Sequence, residues 1–261
     1  MSPENKQQNV EVGDGAAIPL KSDFGLFTAW RIAFIGAISI LGYLVLTKPD
    51  PYLKILQFVP DGIVVTFKVT IGSISLAMVL GLITGLGRIS RNRFLNGAAS
   101  LYVEVIRGIP LLVQIFYIYY ALGRIIHVPD MLSAIIAMAV CYGAYMGEIV
   151  RAGIQSIPKG QVEAAMSLGM SRSQTMMHVI LPQAIKVILP PMGNEFIALL
   201  KDSSLVSILA IADLLRRGRE FASESFAYFE TYTVIALVYL IITLFFSKII
   251  GIMEERVNAN R

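Results

Sequence analysis

The chain has 261 residues, 56% of them hydrophobic and only 15% charged, with a mean hydropathy of +0.68. A soluble domain carries about 25% charged residues, so this composition is that of a membrane protein. One cysteine excludes a disulfide framework and a thiolate metal site, and the mild net charge of +4, grouped by loop, points to membrane orientation and away from nucleic-acid binding.

The first 28 residues are polar, with Glu4, Glu11, Asp14 and Asp23, and are predicted to form a disordered tail. No small-residue cleavage site follows the first apolar run, so no cleavable signal peptide is expected. Crossing a bilayer takes about 20 mostly apolar residues. The first predicted span is Ala29–Leu46, an added N-terminal helix over 29–47. The second lies within 62–87, the third covers roughly 98–123 and the fourth roughly 130–154. The fifth, 185–212, is interrupted by Pro190, Pro191, Gly193, Glu195, Lys201 and Asp202, and is predicted to be a broken helix. The sixth runs from Thr231 to about Ile252. Gly81/Gly85 and Gly143/Gly147 suit close helix packing. His127 and His178 have no ligand-like neighbours and are read as polar rim residues.

Between the fourth and fifth spans lies a polar, punctuated loop at 155–182. Pro158 suits the first turn of a helix, and Gly169 suits the left-handed position that ends one. Ser171 with Gln174 gives a capping-box pattern for a second helix, which Pro182 breaks or bends. This is a shaped element, and Gly160, Glu163, Ala164, Ala165 and Gly169 read as a docking surface for a partner outside the bilayer. The small side chains there would allow close backbone approach. With this loop inside, thirteen of the 22 Lys and Arg fall on its side, six fall opposite and three lie within spans. That bias, with six spans, places both termini in the cytoplasm.

A charge within the bilayer is expensive and is a functional candidate. Glu104 and Arg107 are three apart, as are Glu148 and Arg151, so each pair shares a helix face and can neutralise itself. Gly108-Ile109-Pro110 follows Arg107 and loosens its helix, while Gln114 returns to the same face seven residues on. Pro190-Pro191-Met192-Gly193-Asn194-Glu195 supplies a second polar interruption.

Glu163-Ala164-Ala165, Gly169 and Ile180-Leu181-Pro182 resemble the EAA loop of the membrane subunits of bacterial ABC importers. Tyr102-Val103-Glu104-x-x-Arg107-Gly108-x-Pro110-Leu111-Leu112-Val113-Gln114 resembles the signature of the polar amino acid permease branch. So do Gly143-Ala144-Tyr145 with Glu148-Ile149-x-Arg151, Ile157-Pro158-x-Gly160-Gln161, and Asn194-Glu195-Phe196 leading to Leu200-Lys201-Asp202-Ser203-Ser204-Leu205. The resemblance covers about residues 60–255 and implies an all-α integral membrane protein with the type I ABC importer transmembrane fold. That fold would have about six transmembrane helices here, a five-helix core plus the N-terminal one, in the bacterial cytoplasmic (inner) membrane. It implies two ABC ATPase subunits, a second permease subunit (this chain or a homologue) and an extracytoplasmic amino-acid-binding protein as partners. It further implies import of a polar L-amino acid by alternating access, with loop 155–182 as coupling element. The chain contains no G-x-x-x-x-G-K-[ST], so it is expected to hold no cofactor and to be no enzyme; ATP and Mg would be bound by the partner ATPase. Arg107 with Gln114 is the expected receptor for a substrate carboxylate, and Glu195 with Asn194 for its ammonium group. The competing class is a gradient-driven secondary amino acid transporter with Glu104, Glu148 and Glu195 as ion sites, which would generally need an internal repeat that is not visible.

Overall fold

The computed structural model describes residues 9–11, 17–19, 28–125, 128–209 and 211–259. His127 and most of the polar tail lie outside them; within that tail β1 (Asn9–Glu11) pairs antiparallel with β2 (Ala17–Pro19). Every described element that follows is helical. The order is α1 (Ala29–Thr47), α2 (Pro49–Phe58), α3 (Pro60–Arg88), α4 (Arg93–Gly108), α5 (Leu111–Ile125), α6 (Asp130–Gln155), α7 (Lys159–Ser167), α8 (Arg172–Thr175), a π-helical turn at Met176–Ile180, α9 (Leu181–Asp202), a 3-10 turn at Ser203–Leu209, α10 (Leu214–Ser225) and α11 (Tyr228–Ala259).

Four of these helices, α1, α3, α6 and α11, are long and apolar enough to cross a membrane. The expected third span is a different object: it is split at Ile109-Pro110 into α4 and α5, which bend by 111°. Pro110 cannot donate to the carbonyl four residues back, so the helix ends there and restarts. The expected break within the fifth span is absent. α9 runs through Pro190 and Pro191, and the helix gives way only at Ser203. Proline keeps a helical φ, and packed residues on both sides, Ile188, Leu199 and Leu200, hold the two halves in line.

The centre of the molecule is the α3–α6 pair. A Cβ on Gly81 would lie 2.3 Å from Cβ of Met146, and one on Gly147 would lie 2.3 Å from Oγ1 of Thr84, so the glycines let the backbones meet. Around this seam Val69, Ala77, Met138, Cys141 and Leu199 form the main buried cluster. At one end α10 sits on the start of α3, where Leu214 N donates to Thr66 Oγ1 at 3.1 Å. α1 lies outside, held to α11 by Trp30 Nε1, which donates to Leu244 O at 2.8 Å.

Candidate functional site

Two polar regions stand out, one inside the helical layer and one on the loop at its end. The inner region gathers around α6. Tyr142, 4% exposed, donates from its hydroxyl to Asp202 Oδ2 at 2.7 Å. One turn on, Tyr145 stacks under the Arg107 guanidinium, 5.5 Å from ring centroid to Cζ. Glu195, half-buried on α9, is within electrostatic reach of Arg107, Asp202 and Tyr142. One guanidinium, two carboxylates and two tyrosines therefore converge between α4, α6 and α9.

Two of the four expected substrate ligands do not join them. Gln114 is 5% exposed and fully occupied: its Nε2 donates to Ile106 O (2.5 Å) and Ile109 O (2.6 Å), while its Oε1 accepts from Cys141 Sγ at 2.9 Å. Pro110 has no N–H to give the Ile106 carbonyl, which accepts from Ile109 N at 3.5 Å and from Gln114, so Gln114 staples the α4–α5 corner. Asn194 turns away from Glu195, because consecutive helical residues point about 100° apart. It lines a cavity of about 390 Å³ against α11 with Lys201, Thr243 and Ser247. Tyr142 was not singled out from the sequence, and Asp202 was read there only as an interruption of the fifth span. Their signal was register: Tyr142 and Tyr145 are one turn apart on α6, and Glu195 and Asp202 two turns apart on α9.

The acidic pairs also rearrange. Glu148 does meet Arg151, whose Nε donates at 3.1 Å, but it is shared with Arg88 of α3. Glu104 faces Arg88 at 3.6 Å, which leaves Arg107 to Tyr145. Asn96 donates to the Arg88 carbonyl, so the α3–α4 turn is tied to the same network.

The loop is as ordered as its punctuation implies. α7 ends in a Schellman motif: Gly169 has φ +79, its N–H donates to Met166 O at 3.0 Å, and Met170 N donates to Ala165 O at 3.2 Å. Ser171 and Gln174 make both bonds of the capping box. Pro182 is absorbed by the π turn at Met176–Ile180, so the helix widens instead of breaking. Gly160, Glu163, Ala164 and Gly169 are exposed. Ala165 is 4% exposed and seats α7 on its own chain, so it is not part of a surface open to a partner. Leu168 projects beside it with 84% exposure, flanked by exposed Met166 and Met177. Exposed apolar side chains next to a polar loop mark a contact surface.

At the opposite end Asp213 caps α10, accepting from Arg216 N at 2.9 Å and Leu215 N at 3.4 Å. Burial raises its carboxyl to about 6. Arg216 and Arg217 both bind Glu220, and hold its carboxyl below the ordinary range.

Residues 77–259 match the family model described as the binding-protein-dependent transport system inner membrane component. The chain belongs to that family. This permease is 41% identical over 199 residues to the L-cystine transport system permease protein TcyB of Bacillus subtilis (76% of this chain, 85% of that one). It is 36% identical over 199 residues to the glutamine transport system permease protein GlnP of Escherichia coli K12 (75% and 91%). Among solved structures it resembles a crystal structure of an amino acid ABC transporter with histidines, with TM-score 0.74 and 42% identity over 78% of this chain and 96% of that one. A chain of the inward-facing MetNI methionine ABC transporter shares the fold, with TM-score 0.64 and 19% identity over 80% and 98%. The permease is thus an ABC importer transmembrane subunit of type I fold, and the gradient-driven reading is set aside. α1 precedes the matched region.

Proposed function

We propose that the permease carries a polar amino acid inward across the bacterial cytoplasmic membrane. Energy would come from two ATPase subunits that bind ATP and Mg and seat on the exposed loop around Leu168. A second permease subunit, identical or homologous, would complete the pore, and an extracytoplasmic binding protein would deliver the solute. Both termini then lie inside, which the distribution of Lys and Arg supports. The names and identities of the relatives support the substrate class.

One observation carries the reading: Arg107 and Glu195 come within electrostatic reach of each other between α4, α6 and α9. A zwitterion needs both signs within a few ångströms, and a guanidinium matches a carboxylate as a two-pronged donor. Tyr145 under Arg107 pre-orients that fork, and Asp202, held by Tyr142, adds negative potential beside Glu195. The loop joins the site mechanically: α7 packs through Val162 onto Ile154, Ile180 and Ala184, and the π turn leads straight into the helix that bears Glu195. A push on α7 is thereby transmitted to Glu195 along a stiff rod.

Glu195→Gln tests the site. Losing a charged hydrogen bond to substrate corresponds to an uptake affinity weaker by about 10- to 100-fold, with the melting temperature kept. Unchanged affinity for every amino acid transported would remove Glu195 from the site.

A further inference from the structure

We propose that the end of α5 and the start of α6 form a second, staging site for a zwitterionic amino acid, occupied by the solute on its way into the helical layer. The inference rests on the solute being an amino acid, but not on the roles given to Arg107 and Glu195. α6 runs from Asp130 to Gln155, and the loop that bears α7 follows Gln155, so Asp130 lies at the end of the helix away from that loop. A cavity of about 410 Å³ opens there, lined by Tyr119, Tyr120, Gly123, Arg124, Asp130 and Ser133.

The lining supplies one cation and one anion. Among the described residues neither Arg124 nor Asp130 makes an ion pair. Asp130 accepts from the Tyr119 hydroxyl, which also stands 3.5 Å from Leu209 O, so the carboxylate is held in place without being neutralised. Ser133 Oγ is engaged by Val128 O at 3.3 Å. A ligand carboxylate fits the Arg124 fork and a ligand ammonium fits Asp130, while the Tyr120 ring offers a face to the side chain. An ion of one sign would leave one of these two charges unmatched. The site also continues inward. Phe116, Tyr120 and Arg124 follow one another at single turns on α5, and with Val113, Tyr117 and Ala121 they line a second cavity of about 470 Å³. The two cavities share Tyr120 and Arg124, so one face of α5 is a continuous trough. Its inner end, Val113, lies three residues past Pro110, and Arg107 stands three residues before that corner.

Protection of an engineered thiol reads this site in the assembled permease–ATPase complex, held in phosphatidylcholine nanodiscs without binding protein. Gly123 lines the cavity and a Cβ there meets nothing within 4 Å, so Gly123→Cys in a Cys141→Ala background sets one thiol beside the ligand. The rate of maleimide labelling is followed with each of the twenty L-amino acids and L-cystine in turn. At least one should slow it, and the amide and the deaminated acid of that amino acid, each lacking one charge, should not. Arg124→Gln should raise the half-protecting concentration by about 10- to 100-fold, as expected for the loss of a charged hydrogen bond. Asp130→Asn should do the same, and reads the site even where Arg124→Gln fails to assemble. Glu195→Gln should leave protection unchanged while weakening uptake in cells, so the inner site and this one fail separately. Absence of protection by every amino acid would overturn the proposal, as would protection that persists in either charge variant. Equal protection by glycerophosphoethanolamine would also overturn it, in favour of a lipid headgroup site.

Discussion

With Pro110 unable to donate to Ile106, the α4–α5 corner is tied by one carboxamide, Gln114, which serves Ile106 and Ile109 together, beside a long bond from Ile109 N to Ile106 O at 3.5 Å. Gln114→Leu should leave the Ile109 carbonyl without its donor and Ile106 with only its long bond from Ile109 N, and cost about 1–3 kcal/mol. The measurement is the melting temperature in detergent: a large fall marks a staple, whereas weakened uptake at unchanged stability would mark a substrate ligand. Spacing along the sequence placed Gln114 on the Arg107 face, but it assumed a straight helix, and the 111° bend re-aims everything beyond Pro110. Asp213 gives a second test at this scale. Its buried carboxyl titrates near 6 in the fold against 3.8 when exposed, so the folded state holds its proton more tightly. Its contribution is therefore most favourable below about pH 3.8 and is lost, by up to about 3 kcal/mol, as pH rises through 6. Asp213→Asn keeps an equally good cap. The wild-type melting temperature should fall relative to that variant between pH 4 and 6.5; parallel curves would contradict the buried acid.

At the scale of elements, what the sequence made legible was local. The helix–Gly–helix punctuation of 158–175 depends on neighbours within four residues, and Gly169, Ser171 and Gln174 take the roles their chemistry favours. The glycine pairs on α3 and α6 were likewise readable, since only glycine tolerates approaches of this kind. The prolines of α9 were misleading because their local penalty is outweighed by packing at Ile188, Leu199 and Leu200, which no single segment reveals. The Tyr142–Asp202 contact, sixty residues apart, was invisible for the same reason. Gly169 carries the element-scale prediction. A β-branched residue at φ +79 is strained by about 1–2 kcal/mol, so Gly169→Val should loosen the turn and uncouple ATP hydrolysis from solute. Gly169→Asn, whose side chain tolerates that conformation, should retain most coupling. Equal ATPase stimulation in both variants would contradict a rigid loop.

As a whole molecule the permease is a block, α3 locked to α6, with two outlying assemblies. On one side α1 and α2 brace α10 and α11, through Trp30 on Leu244 of α11 and through a cluster that joins Tyr52 and Ile55 to Leu214 of α10 and Val234 of α11. On the other, α7 and the π turn form a lever whose exposed tip is Leu168 and whose far end is Glu195. The account holds together only if that tip faces an ATPase subunit inside the cell. Cys141 is the chain's single cysteine and is buried, so a Cys141→Ala background leaves one engineered thiol to report. The decisive measurement is cross-linking of Leu168→Cys in intact cells, alongside a membrane-impermeant thiol reagent added from outside. The account predicts a cross-link to the ATPase subunit and no labelling from outside. Labelling by the external reagent, with no cross-linked partner, would contradict it.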